Sequence, residues 1–169
     1  MTVDSFKFLP RILAYYYQNT AKKSGETIPW TPLRKRLSDC KFGLVTSGGL
    51  YDRTKDIPFD IEKEKLEPTW GDPTYRKISK DISKDDVGIS HLHINPAEII
   101  KDFNIILPIH RFLDLEASDN IGSLSQFAYS FMGYQGFPPD TTEWKVNYGP
   151  KVTKYFIAEG VDCLFLTPS

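Results

Sequence analysis

Cysteine is scarce in this chain. Only Cys40 and Cys163 occur among 169 residues, far apart and with no CxxC motif, which leaves no basis for a disulfide framework and fits a reducing compartment. Charge of one sign is also missing. Lysine and arginine number 21 against 22 aspartates and glutamates, for a net charge of −1, so no global field draws the protein to nucleic acid or to an anionic membrane. No apolar run approaches the roughly 20 residues that span a bilayer. The N-terminus lacks the basic flank, apolar stretch and small-residue cleavage site of a secretory signal. Together these absences predict a soluble, cytoplasmic protein. Repeats, low-complexity tracts and the GxGxxG, P-loop and HExxH motifs are absent too, so nucleotide chemistry has no signature and zinc-protease chemistry none.

Aromatic residues are plentiful, at 14%, enough apolar area to drive collapse. The length fits one domain over 1–169, with an N-terminal helical segment over 1–40 and a sheet-forming core over 41–169. Leu9, Ile12, Leu13 and Tyr16 fall at helical spacing within a helix from Phe8 to Lys23. An extended Ile28-Pro29-Trp30 follows, and then Thr31 and Pro32 read as the cap and first residue of a short basic helix. Strands are expected at Phe42–Thr46, Tyr75–Ser79 (a short edge), Val87–His91, Asn104–Pro108 and Val161–Leu166, the last reading as a buried core strand. Helices are expected at Pro96–Phe103 with Asn95 as cap, at Ile109–Ala117, and at Trp144–Ala158 with a kink or a restart at Gly149-Pro150. "NIGSLSQFAYSFMGYQG" fits a strand or an irregular hairpin. From Thr54 to Asp86 the chain is polar, with a charged patch at Glu62, Lys63, Glu64 and Lys65 that reads as a solvated excursion. Alternating strands and helices predict an α/β fold: a mainly parallel sheet with helices on both faces, in flavodoxin- or Rossmann-like layering.

Ligands of open α/β sheets collect beyond the carboxyl ends of the strands. Four segments leave those ends: Ser47-Gly48-Gly49, Ser90 to His93, Pro108 with His110 and Arg111, and Thr167 to Ser169. All four share one rim if the strands are parallel. His91 and His93, two positions apart, would point to one side of an extended backbone. Such a pair could shuttle protons, hold a substrate carboxylate, bind a metal, or simply hydrogen-bond within the fold. Two histidines do not complete a zinc site, so a metal role is left undecided. The glycines of "SGGLYDR" would let N–H groups approach an anion or serve a tight turn. Asp72 and Arg76 of "GDPTYR" could form a surface ion pair or a guanidinium fork for a carboxylate. Cys163, inside the last strand, reads as buried and inert.

The ordered motifs "PWTPLRKRLSDCKFGLVTSGGLY", "PFD", "GDPTYRKI", "ISHLHIN", "FNIILPIHRFLDL", "IGSLSQFAYSFMGY" and "EGVDCLFLTP" resemble the selenoprotein B branch of the glycine/betaine/sarcosine reductases and the related D-proline reductase-like proteins. The resemblance covers roughly Ile28 to Ser169. It implies reductive C–N cleavage of a small amino-acid-like substrate, in which a selenocysteine or cysteine attacks the carbon bearing nitrogen. It also implies partner subunits, one of which carries a pyruvoyl group in some members. His91 and His93 then become candidate catalytic residues, and Ser47, Gly48, Asp72 and Arg76 candidate substrate contacts. The family's redox residue follows the strand matching "VDCLFLTP", so no such residue stands within these 169. The expectation is a chain cut before that residue, as a fragment, by a split gene, or by an in-frame UGA read as stop, and inactive by itself. The other readings are a non-catalytic subunit that binds a small carboxylate or a partner, and a metal-binding protein built on "HLH". Homo-oligomerisation through an uncovered sheet edge is a further expectation.

Overall fold

The computed structural model describes residues 10–20, of which 16–20 by backbone alone, and 31–169. The ends of the expected first helix, the side chain of its Tyr16, and Ile28-Pro29-Trp30 lie outside what is described. Two compact units divide the chain, residues 1–34 and 35–169. In the first, helix α1 (Arg11–Thr20) starts immediately after Pro10, whose carbonyl accepts from the Ala14 N–H at 2.9 Å. A proline just ahead of a helix loses no intrahelical bond.

The second unit is an α/β fold around a mixed, mostly parallel sheet. Strand β1 (Lys41–Thr46) is central. On one side it pairs in parallel with β5 (Ser123–Leu124) and then with β6 (Phe127–Phe131). On the other it pairs in parallel with β7 (Cys163–Thr167), in register from Phe42 opposite Cys163 to Thr46 opposite Thr167. Strand β3 (Tyr75–Ser79) lies antiparallel outside β6. Strands β2 (Leu50–Asp52) and β4 (Val87–Ile89) form a separate antiparallel ribbon.

Strand alternation divides the core into two clusters. Leu44, Ile78, Leu124 and Ala128 face α3 (Ala97–Lys101) and α4 (Ile109–Ala117), burying Ile99, Leu107, Ile109 and Phe112. Val45, Tyr129 and Phe131 pack with Val152 and Phe156 of α5 (Gly149–Ala158). Gly43 admits that helix: a Cβ there would stand 2.5 Å from the Phe156 ring. The π-helical turn Trp144–Tyr148 leads directly into α5, so Gly149-Pro150 restarts the helix instead of ending it.

Several expected elements differ. Asn104–Pro108 is not a strand. Asp102 caps a 3-10 turn over Phe103–Ile105, its side chain accepting from the Asn104 N–H, and Leu107 is buried beside α4 instead of in the sheet. No basic helix starts at Pro32; only a 3-10 turn over Leu37–Asp39 forms there. Val87–His91 shortens to β4 and belongs to the ribbon. The last strand is not a covered core strand. It is a sheet edge with Leu164, Phe165 and Leu166 at 49, 42 and 63% exposure. Among the described residues no helix is long and apolar enough to cross a membrane.

Candidate functional site

The turn after β1 brings the rim together. Gly49 has φ +66°, which a glycine tolerates and a side chain resists, and its N–H donates to the Phe131 carbonyl. Its own carbonyl accepts from the Ser90 N–H at 2.9 Å, so the segment leaving β4 lies against the segment leaving β1. Gly48 is buried and its N–H donates to Thr46 Oγ1 at 3.1 Å. A Cβ on Gly48 would reach 2.4 Å from Ile106 Cδ1. The two N–H groups expected to approach an anion are therefore spent inside the fold.

Ser47, His91, Gly133 and Ser169 converge on one point. The Ser169 N–H donates to Ser47 Oγ at 2.8 Å. A Cβ on Gly133 would lie 2.8 Å from the Ser169 carbonyl oxygen, 3.0 Å from that of Ser47 and 3.2 Å from His91 Nε2. Nearby, Thr167 Oγ1 donates to the Ile106 carbonyl at 2.6 Å and ties β7 to the turn before α4. Three of the four segments expected at the rim thus meet. The fourth is only partly there, because His110 is held by Asn104 and edges Phe103, and Arg111 pairs with Asp114 along its own helix.

His91 and His93 are not on a strand, and they do not share an environment. Residues 90–96 are turn and coil. The His93 N–H donates to His91 Nδ1 at 3.2 Å, so neutral His91 carries its proton on Nε2. That Nε2 is buried without a hydrogen-bond partner. Burial, followed by the neighbouring His93, holds the His91 pKa below the usual histidine value, because both disfavour an added positive charge. His93 is half exposed, with its ring lying on Tyr134 at 4.4 Å and 36°.

The partner of His93 was hidden in the sequence. Helix α2 (Ile61–Leu66) is capped by Asp60, which accepts from the Lys63 N–H. Of its four consecutive charged residues, Glu64 alone is buried. Its Oε1 lies 3.1 Å from His93 Nε2, within ion-pair distance but off the line of a directed hydrogen bond, which leaves that oxygen otherwise unpartnered. Burial pushes the Glu64 pKa up, and nearby Asp72 adds to the rise, while His93 opposes it.

Asp72 and Arg76 lie on the approach to this region. Asp72 Oδ1 accepts from Thr74, and its carbonyl accepts from the buried Gln135 side chain. The Arg76 guanidinium is 3.7 Å from Asp72, donates to the carbonyls of Ile57 and Pro58, and lies over the Phe59 ring. Its donors are engaged by the excursion that it staples down. Among the described residues no group of three or more His, Cys, Asp or Glu side chains is gathered to hold a metal. With Nδ1 of His91 occupied by a backbone N–H and Nε2 of His93 at Glu64, the "HLH" pair does not converge on an ion.

Beside Ser47, an apolar cleft of about 430 Å³ opens between the ends of β1, β6 and β7 and the start of α5, walled by Phe131, Trp144, Leu166 and Pro168. Cys163 stands at the opposite end of β7. Its thiol pKa is pushed up by burial and by neighbouring Cys40, which makes it a poor nucleophile. The two cysteines, distant in sequence, are thus neighbours in space, and both are free.

The sequence model of the glycine/sarcosine/betaine reductase selenoprotein B family matches residues 15–169. The chain belongs to this family. It is 30% identical over 138 residues to the D-proline reductase subunit gamma of Acetoanaerobium sticklandii, covering 82% of this chain and 52% of that protein. It is 29% identical over 143 residues to the sarcosine reductase complex component B subunit beta of Peptoclostridium acidaminophilum, covering 84% and 31%. A glycine reductase complex component B subunit gamma of Carboxydothermus hydrogenoformans is 27% identical over 142 residues. The chain therefore spans about half the length of the first relative and about a third of the other two. No solved structure matches it.

Proposed function

We propose that this selenoprotein B family chain is a subunit of an amino-acid reductase and holds the carboxylate of a small amino-acid-like substrate at the rim described above. In the overall reaction a C–N bond is replaced by C–H and N–H bonds. A dithiol or thiol–selenol donor supplies two electrons and two protons and closes to a disulfide or selenosulfide. Residues 1–169 supply binding and proton handling in this reading, and the donor group lies outside them. The relatives' names as subunits and components support partner subunits. The two core clusters on opposite sides of the sheet support a flavodoxin-like layering.

One observation carries the site: the buried, partnerless Nε2–H of His91 facing the small residue Gly133. A buried donor without an acceptor costs about 1–3 kcal/mol, and a carboxylate oxygen would satisfy it. Ser47 Oγ is the second contact. Gly48 keeps the rim narrow, and Asp72 with Arg76 fixes the approach. The adjoining apolar cleft accommodates the methyl groups or ring of an N-substituted substrate.

Calorimetric titration of the full chain with glycine, sarcosine, betaine and D-proline tests this reading. At least one is expected to bind, its amine lacking the carboxylate is expected not to bind, and His91→Ala or Ser47→Ala is expected to weaken binding at least tenfold. Equal binding of the amine and the amino acid, or no binding of any of the four, would overturn it.

A further inference from the structure

Four charged residues in a row, Glu62 to Lys65, present three side chains to solvent or to partial cover and bury one. An apolar residue would suit that buried position without cost, whereas a buried carboxylate costs several kcal/mol unless a partner offsets it. Glu64 is 3% exposed, and the partner the structure supplies is His93, 3.1 Å away.

His93 is held from three directions. Its Nε2 faces Glu64. Its ring lies on Tyr134, whose hydroxyl donates to the Pro68 carbonyl. Its backbone N–H is bound to His91 Nδ1. A carboxylate charge 3.1 Å from Nε2 favours a proton there even without a directed hydrogen bond, and leaves Nδ1 as the ring's remaining acid–base atom. Among the described residues, the other charged or titratable groups facing the pair are Asp72, which acts on Glu64 through its charge, and the His91 ring, 6.1 Å from that of His93 and nearly perpendicular to it.

We propose that Glu64 is the positioning residue for His93, and that the two form a carboxylate–imidazole dyad which moves one proton at Nδ1 of His93. This rests on the reductase reading above. When the C–N bond breaks, the donor closes to a disulfide or selenosulfide, and its two electrons with one proton make the new C–H bond. The departing nitrogen takes its proton from His93 Nδ1, and the donor's second proton restores the dyad. Glu64 stabilises the imidazolium before the transfer and holds the ring's orientation after it. It touches no substrate.

The coupling can be read without turnover. In the full chain, the pH titration of the glutamate side-chain carboxyls is followed by NMR. His93 opposes the rise that burial imposes on the Glu64 carboxyl, so in His93→Gln that carboxyl is expected to bind its proton about tenfold more tightly. If Glu64 titrates the same way with and without His93 in folded variants, the contact is only a clamp between α2 and the rim, and the proposal is overturned. Should His93→Gln fail to fold, the same titration in His93→Asn decides. Carboxylate binding by calorimetry is independent of this readout, so a failed dyad and a failed substrate reading give different results.

Discussion

Oε1 of the buried Glu64 lies 3.1 Å from Nε2 of the half-exposed His93, joining the polar excursion to the rim of the sheet. An ion in that position is retained at a cost in stability. Replacing Glu64 by leucine is therefore expected to leave the fold as stable at neutral pH or to stabilise it by about 1 kcal/mol. The sign with pH follows from the raised carboxyl pKa. Between the unfolded value and the raised folded value the native state binds more protons, so the wild-type protein recovers stability as pH falls through that window. The advantage of Glu64→Leu should shrink over the same range, as urea denaturation at several pH values would show.

His91 has the opposite sign. Its folded pKa lies below its unfolded value of 6.5, so the unfolded chain takes up a proton first as pH falls. Its contribution is present above 6.5 and is lost on acidification toward the folded pKa. In His91→Gln this part of the acid-side loss should disappear from denaturation midpoints. A slope unchanged between wild type and variant would place the titrating group elsewhere.

Gly133 tests the cradle. A methyl group there would lie 2.8 Å from the Ser169 carbonyl oxygen, closer than nonbonded contact allows, and tight against His91 Nε2 at 3.2 Å. Gly133→Ala should abolish amino-acid binding by calorimetry while the far-UV circular dichroism stays native. Binding that survives intact would mean the ligand does not sit at this point.

Tyr129 is wholly buried and its hydroxyl has no hydrogen-bond partner. The ring packs edge-on against Phe156 and Tyr75. Tyr129→Phe keeps these contacts and removes the unsatisfied hydroxyl, so it should be neutral or stabilising by about 1 kcal/mol. Thermal denaturation measures this directly. A clear loss of stability would show that the hydroxyl has a partner in solution.

What the sequence revealed divides by range. Strands β1, β3 and β7 and helices α4 and α5 were legible because their apolar periodicity is local and is confirmed by the pairing. "FNIILPIH" misled because a short apolar run satisfies a strand and a buried turn equally, and the Asp102 cap decided for the turn. The strand β7 looked covered because its residues are apolar, while exposure depends on neighbours that periodicity does not name. At the rim, the expected nearness of Ser47 to His91 holds for a different reason: β4 is not a parallel strand of the sheet, and the Gly49 turn brings the two segments together through the Ser90 N–H to Gly49 carbonyl bond. Glu64 was not legible as a site residue. Its neighbours Glu62, Lys63 and Lys65 give the surface pattern, and only the one-sided burial of a six-residue helix separates it from them. A charged residue at the buried position of such a helix is the signal that could have found it.

The most direct measurement is the ring ¹⁵N spectrum of His91 in the full chain, recorded with and without glycine, sarcosine, betaine or D-proline. One of these ligands is expected to shift the Nε2–H resonance of His91 as a carboxylate oxygen accepts from it, while its Nδ1 keeps its bond from the His93 N–H. A binding ligand that leaves the His91 Nε2 resonance unmoved would contradict the assignment of the rim as the carboxylate site.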